Sequence, residues 1–470
     1  MFHLSSRAVL AAAASVAALL AAGPVSAQTG LFGGGSTLAA STYSQVFQAL
    51  DSTTPGIYCG NSTSSNTFAP AGTADTVCNN YGYIGSGKGA AALFANSASV
   101  EYGTYPNPKG TPNYFNVVAY AASDSALSSG QVGIWNNGGT QSSVTVTAQQ
   151  PTAGALLQVP TFGTPITVAY KFNGAVGFLG GIQLTDAQLC GIFSGSITTT
   201  NDTHLTGIAG DPNFPNAYSG KTVPANPITV VYRGDSSGTT YLFHQHLAAV
   251  CPSYPVTNPK AAFATALPTG TLPTQTFSTL FSGGVPSNFS AQTGSAGVEN
   301  KINSTPFSIG YLSPDYTKIS ARNANGAFPV VAKLKNLTDG NFYLPDLNST
   351  STALNSATIT NLKDPTTYSP PVATPAAGYP IVGFTNLFFP QCFSDNNVAN
   401  ELYNLIQAVL PGGGYTLQIN QGGFVPLPQS LANAINDNVL NNNNGNNLDL
   451  QDGAFCQAAG AAGPGTFAGR

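Results

Sequence analysis

Apolar and polar positions along the chain follow two rhythms. Uninterrupted, mostly β-branched or aromatic runs predict buried strands at Phe115–Ala121, Ile166–Phe172, Ile228–Tyr232, Ile309–Leu312, Phe328–Ala332 and Ile381–Phe384. Between them, apolar residues recur at helical spacing and predict helices over Ser41–Leu50, Asp186–Phe193, Thr240–Val250 and Asn400–Val409. Strands alternating with helices imply an α/β architecture. There is no internal repeat. The Asn-rich run Asn441–Asn447 reads as a loop, and the Ser, Thr, Gly and Pro-rich segments 51–80 and 255–290 as surface insertions.

One apolar run has a different meaning. Arg7 precedes Ala8 to Leu20, and Val25-Ser26-Ala27 closes the segment with a small residue at the end. This pattern predicts a secretory signal peptide over 1–27, cleaved after Ala27. A membrane helix is the alternative, but the run is short for the ~20 residues a span needs. No other stretch is apolar for long enough, so no membrane span is expected, and the protein should be periplasmic or secreted. Its six cysteines, Cys59, Cys78, Cys190, Cys251, Cys392 and Cys456, then read as disulfide candidates. Their connectivity is open; sequential pairing is the simplest scheme. No CxxC spacing supports a metal site.

Composition narrows the function. Charged residues are only 7% of the chain, against a usual share of about 25%, and the net charge is −4. With 14 Lys and Arg over 470 residues and no basic run, nucleic-acid binding is excluded as a role. The 52 glycines and 33 prolines exclude a long coiled coil.

Four short segments carry candidate chemistry. They are Gly33-Gly34-Gly35-Ser36-Thr37-Leu38, Gly85-Ser86-Gly87-Lys88-Gly89, Ala122-Ser123-Asp124-Ser125, and Arg233-Gly234-Asp235-Ser236-Ser237-Gly238-Thr239-Thr240. Gly-rich turns that open a helix present backbone N–H groups to an anion, and Ser and Thr hydroxyls add donors. Arg233 adds a planar fork of charged donors. After residue 27 the chain holds only Arg233, Arg322 and Arg470, so one of two internal arginines lies in the richest donor loop. Asp124 and Asp235 look misplaced beside an anion, unless the anion carries protons. Inorganic phosphate does at neutral pH, whereas sulfate would meet a repelling carboxylate. Donors and carboxylates together therefore describe a phosphate site. The bland alternatives are ordinary turns and helix caps at these positions.

Two near misses complete the survey. Gly82–Gly89 approaches a phosphate-binding P-loop, but Gly89 replaces the hydroxyl that would hold magnesium. Gly234-Asp235-Ser236-Ser237-Gly238 looks like a serine nucleophile loop. A triad would need one of His204, His244 or His246, and the last two, spaced by two on a predicted helix, point apart. They read as core or surface histidines. No metal ligand set and no cofactor motif is found.

At this level of detail the chain resembles the phosphate-binding proteins of ABC transporters, of the PstS type, and within them the DING-like subgroup. The resemblance is carried by Ile228–Thr240, Leu189–Ile197, Phe307–Asp315, Gly378–Leu387 and Phe424–Pro428, and spans roughly residues 30 to 456. It implies a two-lobed periplasmic-binding-protein fold of type II, with a hinge and a central cleft. The first lobe would combine 28–165 with 310–470, and the second would cover 166–309. It also implies a ligand set: Thr37 and Leu38 as hydroxyl and amide donors, Ser86 as a donor, and Asp124 as proton acceptor. Arg233 would supply the charge, Asp235 would orient it or meet the ligand, and Ser237, Gly238 and Thr239 would donate from a helix start. The implied function is capture of inorganic phosphate by a monomer, for delivery to an ABC permease. The alternatives are a DING-like phosphomonoesterase, for which no nucleophile or metal cluster is found in the sequence, and a cell-surface protein using the fold as a scaffold. The chain departs from the subgroup at its start, Gln28-Thr29-Gly30, which lacks Asp-Ile-Asn. Ala39 stands where proline is common, and segments 51–80 and 200–225 are longer.

Overall fold

The computed structural model describes residues 31–51, 81–97, 118–171, 182–202, 204–205, 225–253, 273–317, 330–452 and 456. The expected signal segment 1–27, Cys59 and Cys78 lie outside the described residues, as does most of segments 51–80 and 200–225.

Two five-stranded sheets organise the chain. The first runs in the order Tyr81–Gly82, Gly33–Gly35, Tyr120–Ser123, Val382–Pro390, Leu156–Pro165. Its first three strands are parallel, and Val382–Pro390 runs antiparallel to both neighbours. The second has the order Phe289–Gln292, Thr229–Arg233, Ser308–Leu312, Thr167–Lys171, Val330–Val331. Again three strands are parallel, and Thr167–Lys171 runs against both neighbours. The same plan is thus built twice. A single residue, Ile166, separates a strand of one sheet from a strand of the other, and its amide donates to the Ile381 carbonyl at 2.8 Å. Tyr379 Oη donates to the Ile166 carbonyl at 2.9 Å, so the crossing is held from both sides.

Strands form where the apolar runs place them, and so do the four helices, as Ala40–Asp51, Asp186–Phe193, Gly238–Val250 and Asn396–Val409. Thr185 caps Asp186–Phe193 with a reciprocal Gln188 contact, which satisfies backbone donors at the helix start. The described part of the Phe115–Ala121 run forms a strand displaced to Tyr120–Ser123. Buried aromatics tie the layers together, including Tyr43 with Phe162 and Phe243 stacked on Tyr311.

Four features differ from the sequence reading. Leu156–Pro165 is a ten-residue strand despite two prolines. It is the edge of its sheet, and Pro160 sits where the register with Val382–Pro390 shifts, the two settings that tolerate a missing N–H. Gly33–Gly35 is a strand rather than a turn. At Gly35, with φ 135°, a Cβ would lie 2.4 Å from the Ala122 carbonyl oxygen, so only glycine lets the neighbouring strands close in. The described part of 255–290 is no surface insertion. Phe277, Leu280 and Phe281 are buried, and Phe277 packs on Tyr232 and Tyr311. Finally, the second sheet takes in a short strand well beyond residue 310. Val330–Val331 pairs there with Thr167–Lys171, Lys333–Lys335 pairs with Gln183–Leu184 in a separate three-stranded sheet, and pairing in the first sheet resumes at Val382.

Two disulfides follow the sequential scheme, Cys190–Cys251 and Cys392–Cys456. The first fixes helix Asp186–Phe193 to the end of Gly238–Val250.

Candidate functional site

All four candidate segments leave the carboxyl ends of parallel strands. Gly33–Gly35 runs into Ser36-Thr37-Leu38, and Tyr81–Gly82 into Gly85-Ser86. Tyr120–Ser123 leads to Asp124, while Thr229–Arg233 ends on Arg233 and turns through Asp235 into helix Gly238–Val250. In open α/β sheets this end is where crevices form. Here the two sheets turn these ends toward each other. A Cβ on Gly238 would fall 2.6 Å from Ser86 Oγ and 2.7 Å from Asp124 Oδ2. Gln275 links the same segments: its Nε2 donates to Ser125 Oγ at 2.6 Å, and its Oε1 accepts from Ser236 Oγ at 2.7 Å.

Asp124 is buried at 1% exposure. Ser36 Oγ lies 2.7 Å from one carboxylate oxygen and 2.8 Å from the other, and the Asp124 amide donates to Ser86 Oγ at 3.4 Å. Burial pushes the carboxyl up to about 6, against the opposing pull of the Ser36 hydroxyl and the Arg233 charge. A carboxyl raised in the folded state binds its proton more tightly there than in the unfolded chain. Its contribution to stability is therefore fully present below the unfolded value and is lost as pH rises through about 6. In phosphate-free protein, acidification from pH 8 to pH 5 should stabilise wild type relative to Asp124→Asn by about 1.4 kcal/mol. Urea unfolding of both proteins across that range measures it.

Arg233 is 2% exposed. Its Nε donates to Asp235 Oδ1 at 2.8 Å and its Nη2 to Oδ2 at 2.5 Å, a two-point pairing across one edge of the guanidinium. Gly294 N donates to Asp235 Oδ1 at 3.1 Å. Among the described residues Nη1 has only long contacts, to Thr239 Oγ1 at 3.5 Å and Ser295 Oγ at 3.4 Å. Burial works against the charge on Arg233, but the hydrogen bonds and charge of Asp235 outweigh it and hold the guanidinium protonated. Burial likewise opposes ionisation of Asp235, and Arg233 outweighs it there too, so that carboxylate titrates below its ordinary range.

The remaining candidates are gathered around these two. Thr37 Oγ1 is buried and has no hydrogen-bond partner among the described residues. The Leu38 amide donates to Ser36 Oγ at 3.1 Å. Ser237 Oγ accepts the Thr240 amide at 3.3 Å and caps helix Gly238–Val250, whose positive end faces Asp124 and Ser86. Sequence reasoning did not single out Ser36, Ser125, Gln275 or Ser295. Ser36 lay inside a recognised segment, but Gln275 carried no local signal. Away from the site, both helical histidines are buried. His244 Nδ1 accepts the Thr274 amide, and His246 sits between Asp186 and the Ala373 carbonyl. Among the described residues, no group of three or more His, Cys, Asp or Glu could hold a metal, and no helix is long and apolar enough to cross a membrane.

Residues 22–392 match the PBP superfamily domain. The chain belongs to that superfamily. Alkaline phosphatase L of Pseudomonas aeruginosa PAO1 is 32% identical over 434 residues, 91% of this chain and 92% of that protein. A phosphate-binding protein from an unknown prokaryotic organism is 29% identical over 400 residues, 80% of this chain and 92% of that one. Among solved structures, a high affinity periplasmic phosphate-binding protein (PfluDING) bound with phosphate superposes with TM-score 0.64. It shares 28% identity, covering 91% of this chain and 98% of that one. This PBP-superfamily chain thus has the two-lobed periplasmic-binding-protein fold, and its relatives include DING and PstS phosphate-binding proteins.

Proposed function

We propose that this protein captures inorganic phosphate between its lobes, with no covalent step. The observation that carries the reading is the meeting of opposite groups in one water-poor place. Hydroxyls and a helix start surround a buried guanidinium, and a buried carboxylate lies on the other side. Donors alone would suit any tetrahedral oxyanion. Asp124 adds an acceptor to which, among such anions, only a protonated one can donate. Thr37, Ser86, Arg233, Ser237, Gly238 and Thr239 supply donors in this reading, the Leu38 amide being taken up by Ser36 Oγ, and Asp235 orients Arg233. Thr37 Oγ1, buried without a partner among the described residues, supports it, since such an atom gains most from a ligand oxygen. The lobes would be 28–165 with Leu347 onward, and 166 to about Tyr343, following the strand pairing. Export after cleavage at Ala27, a monomeric state and delivery to an ABC permease belong to the same proposal.

Calorimetric titration with phosphate, arsenate and sulfate tests it. Wild type should bind phosphate saturably and sulfate at least ~10³-fold more weakly, and Asp124→Asn should lose most of that discrimination. Absence of saturable phosphate binding, or equal competition by sulfate, refutes it. A second reading, phosphomonoester hydrolysis, is favoured by the similarity to alkaline phosphatase L. Release of p-nitrophenol from its phosphate ester, abolished in Asp124→Ala, would establish that reading instead.

A further inference from the structure

We infer that Ser36 is a positioning residue that keeps Asp124 an acceptor, and so sets how the site reads the protons of its anion. This rests on the phosphate reading above. Ser36 Oγ stands 2.7 and 2.8 Å from the two carboxylate oxygens. A hydroxyl carries one proton and two lone pairs. The lone pairs are engaged from the other side, by the Leu38 amide at 3.1 Å and the Ala39 amide at 3.2 Å. With those two amides donating to it, Ser36 Oγ has only its proton to offer Asp124. The direction of the contact is therefore fixed by the backbone of the first loop: Ser36 donates and Asp124 accepts.

That direction has a chemical consequence. A donor-only neighbour stabilises the ionised carboxylate and conflicts with a protonated one, whose O–H would point at an oxygen with no lone pair left. Burial pulls the other way, and the Ser36 hydroxyl is the largest of the influences that resist it. Without Ser36, Asp124 would be a buried carboxyl that is neutral nearer to neutral pH. A neutral carboxyl can donate as well as accept. It would no longer need a ligand proton, and an unprotonated oxyanion such as sulfate would become acceptable. Ser36 thus governs selectivity without touching the anion. Its two amide contacts bind the same hydroxyl to the start of helix Ala40–Asp51, so the loop carrying Thr37 and the carboxylate that reads the ligand are set by one atom.

The test uses the full chain as wild type, Ser36→Ala and Ser36→Thr, titrated with phosphate and sulfate from pH 5 to pH 9. In Ser36→Ala, the pH at which acidification weakens phosphate binding should move up by about one unit, and phosphate-over-sulfate selectivity should fall about tenfold. Ser36→Thr, which keeps the hydroxyl, should restore both. The anion's own titration is common to all three proteins and cancels in the comparison. If Ser36 were only a helix cap, Ser36→Ala would weaken both anions equally at every pH, and that result overturns the inference. Carboxyl ¹³C NMR of ligand-free protein separates this question from the phosphate reading. An Asp124 midpoint that does not rise in Ser36→Ala overturns the role of Ser36 whatever the ligand proves to be. A wild type that binds no phosphate, with the midpoint raised in Ser36→Ala, overturns only the phosphate reading.

Discussion

Replacing Gly238 by alanine should leave the protein folded and cripple its grip on phosphate. Gly238 opens a helix, where alanine is the better residue by about 1 kcal/mol. Its added methyl would nevertheless meet Asp124 Cβ and Ser86 Oγ, each at 2.6 Å, and both belong to loops of the first sheet. Relief requires the sheets to separate slightly, and overpacking of this kind costs about 1–3 kcal/mol. Phosphate affinity should fall roughly 10- to 100-fold, while the thermal midpoint without phosphate stays close to wild type. Titration calorimetry and small-angle scattering together decide the matter. An unchanged affinity with normal ligand-induced compaction would show that Gly238 does not set closure.

Removing Arg233 should have the larger effect on binding. In Arg233→Ala the site loses its buried positive charge, and Asp235 loses the partner on both its oxygens. Breaking such a pair from one side costs about 3–5 kcal/mol of stability where both groups are buried, and less where one partner reaches water, as Asp235 partly does. Phosphate affinity should drop at least ~10³-fold, because charge-assisted hydrogen bonds to a multiply charged anion are lost together. Arg233→Lys separates the two contributions. An ammonium retains the charge but cannot span two Asp235 oxygens while facing an anion, so its affinity should fall between the two. Phosphate binding by Arg233→Ala within tenfold of wild type would remove Arg233 from the site.

Much of this arrangement was legible in the chain because its signals are local. Uninterrupted apolar runs such as Ile228–Tyr232 can only be buried strands or short buried helices, and the following Arg233–Thr240 turn breaks the ambiguity. What escaped depends on sheet context. Pro160 and Pro165 argue against a strand until it is known that Leu156–Pro165 lies at an edge and bulges there. Three glycines in succession read as a turn until flanking strands on both sides explain them. Polar surroundings disguised Phe277 and Phe281, which pack on Phe289 from the same stretch, while Phe277 also meets Tyr232 from a distant strand. Within the site, the residue types expected at the loops are present and adjacent. The bonds among them were not readable, because Ser36 and Asp124 are 88 positions apart and nothing in either segment announces the other.

The joint at Ile166 limits what sort of motion the molecule can make. One residue of backbone between two strands leaves no slack, and its amide and carbonyl are already committed to Ile381 and Tyr379. Opening must then be taken up as torsion at a short, stiff seam instead of the swinging of a tether. The entry and exit of a solute would then follow one repeatable arc that parts the mouth, where Gln275 and Ser125 join hands.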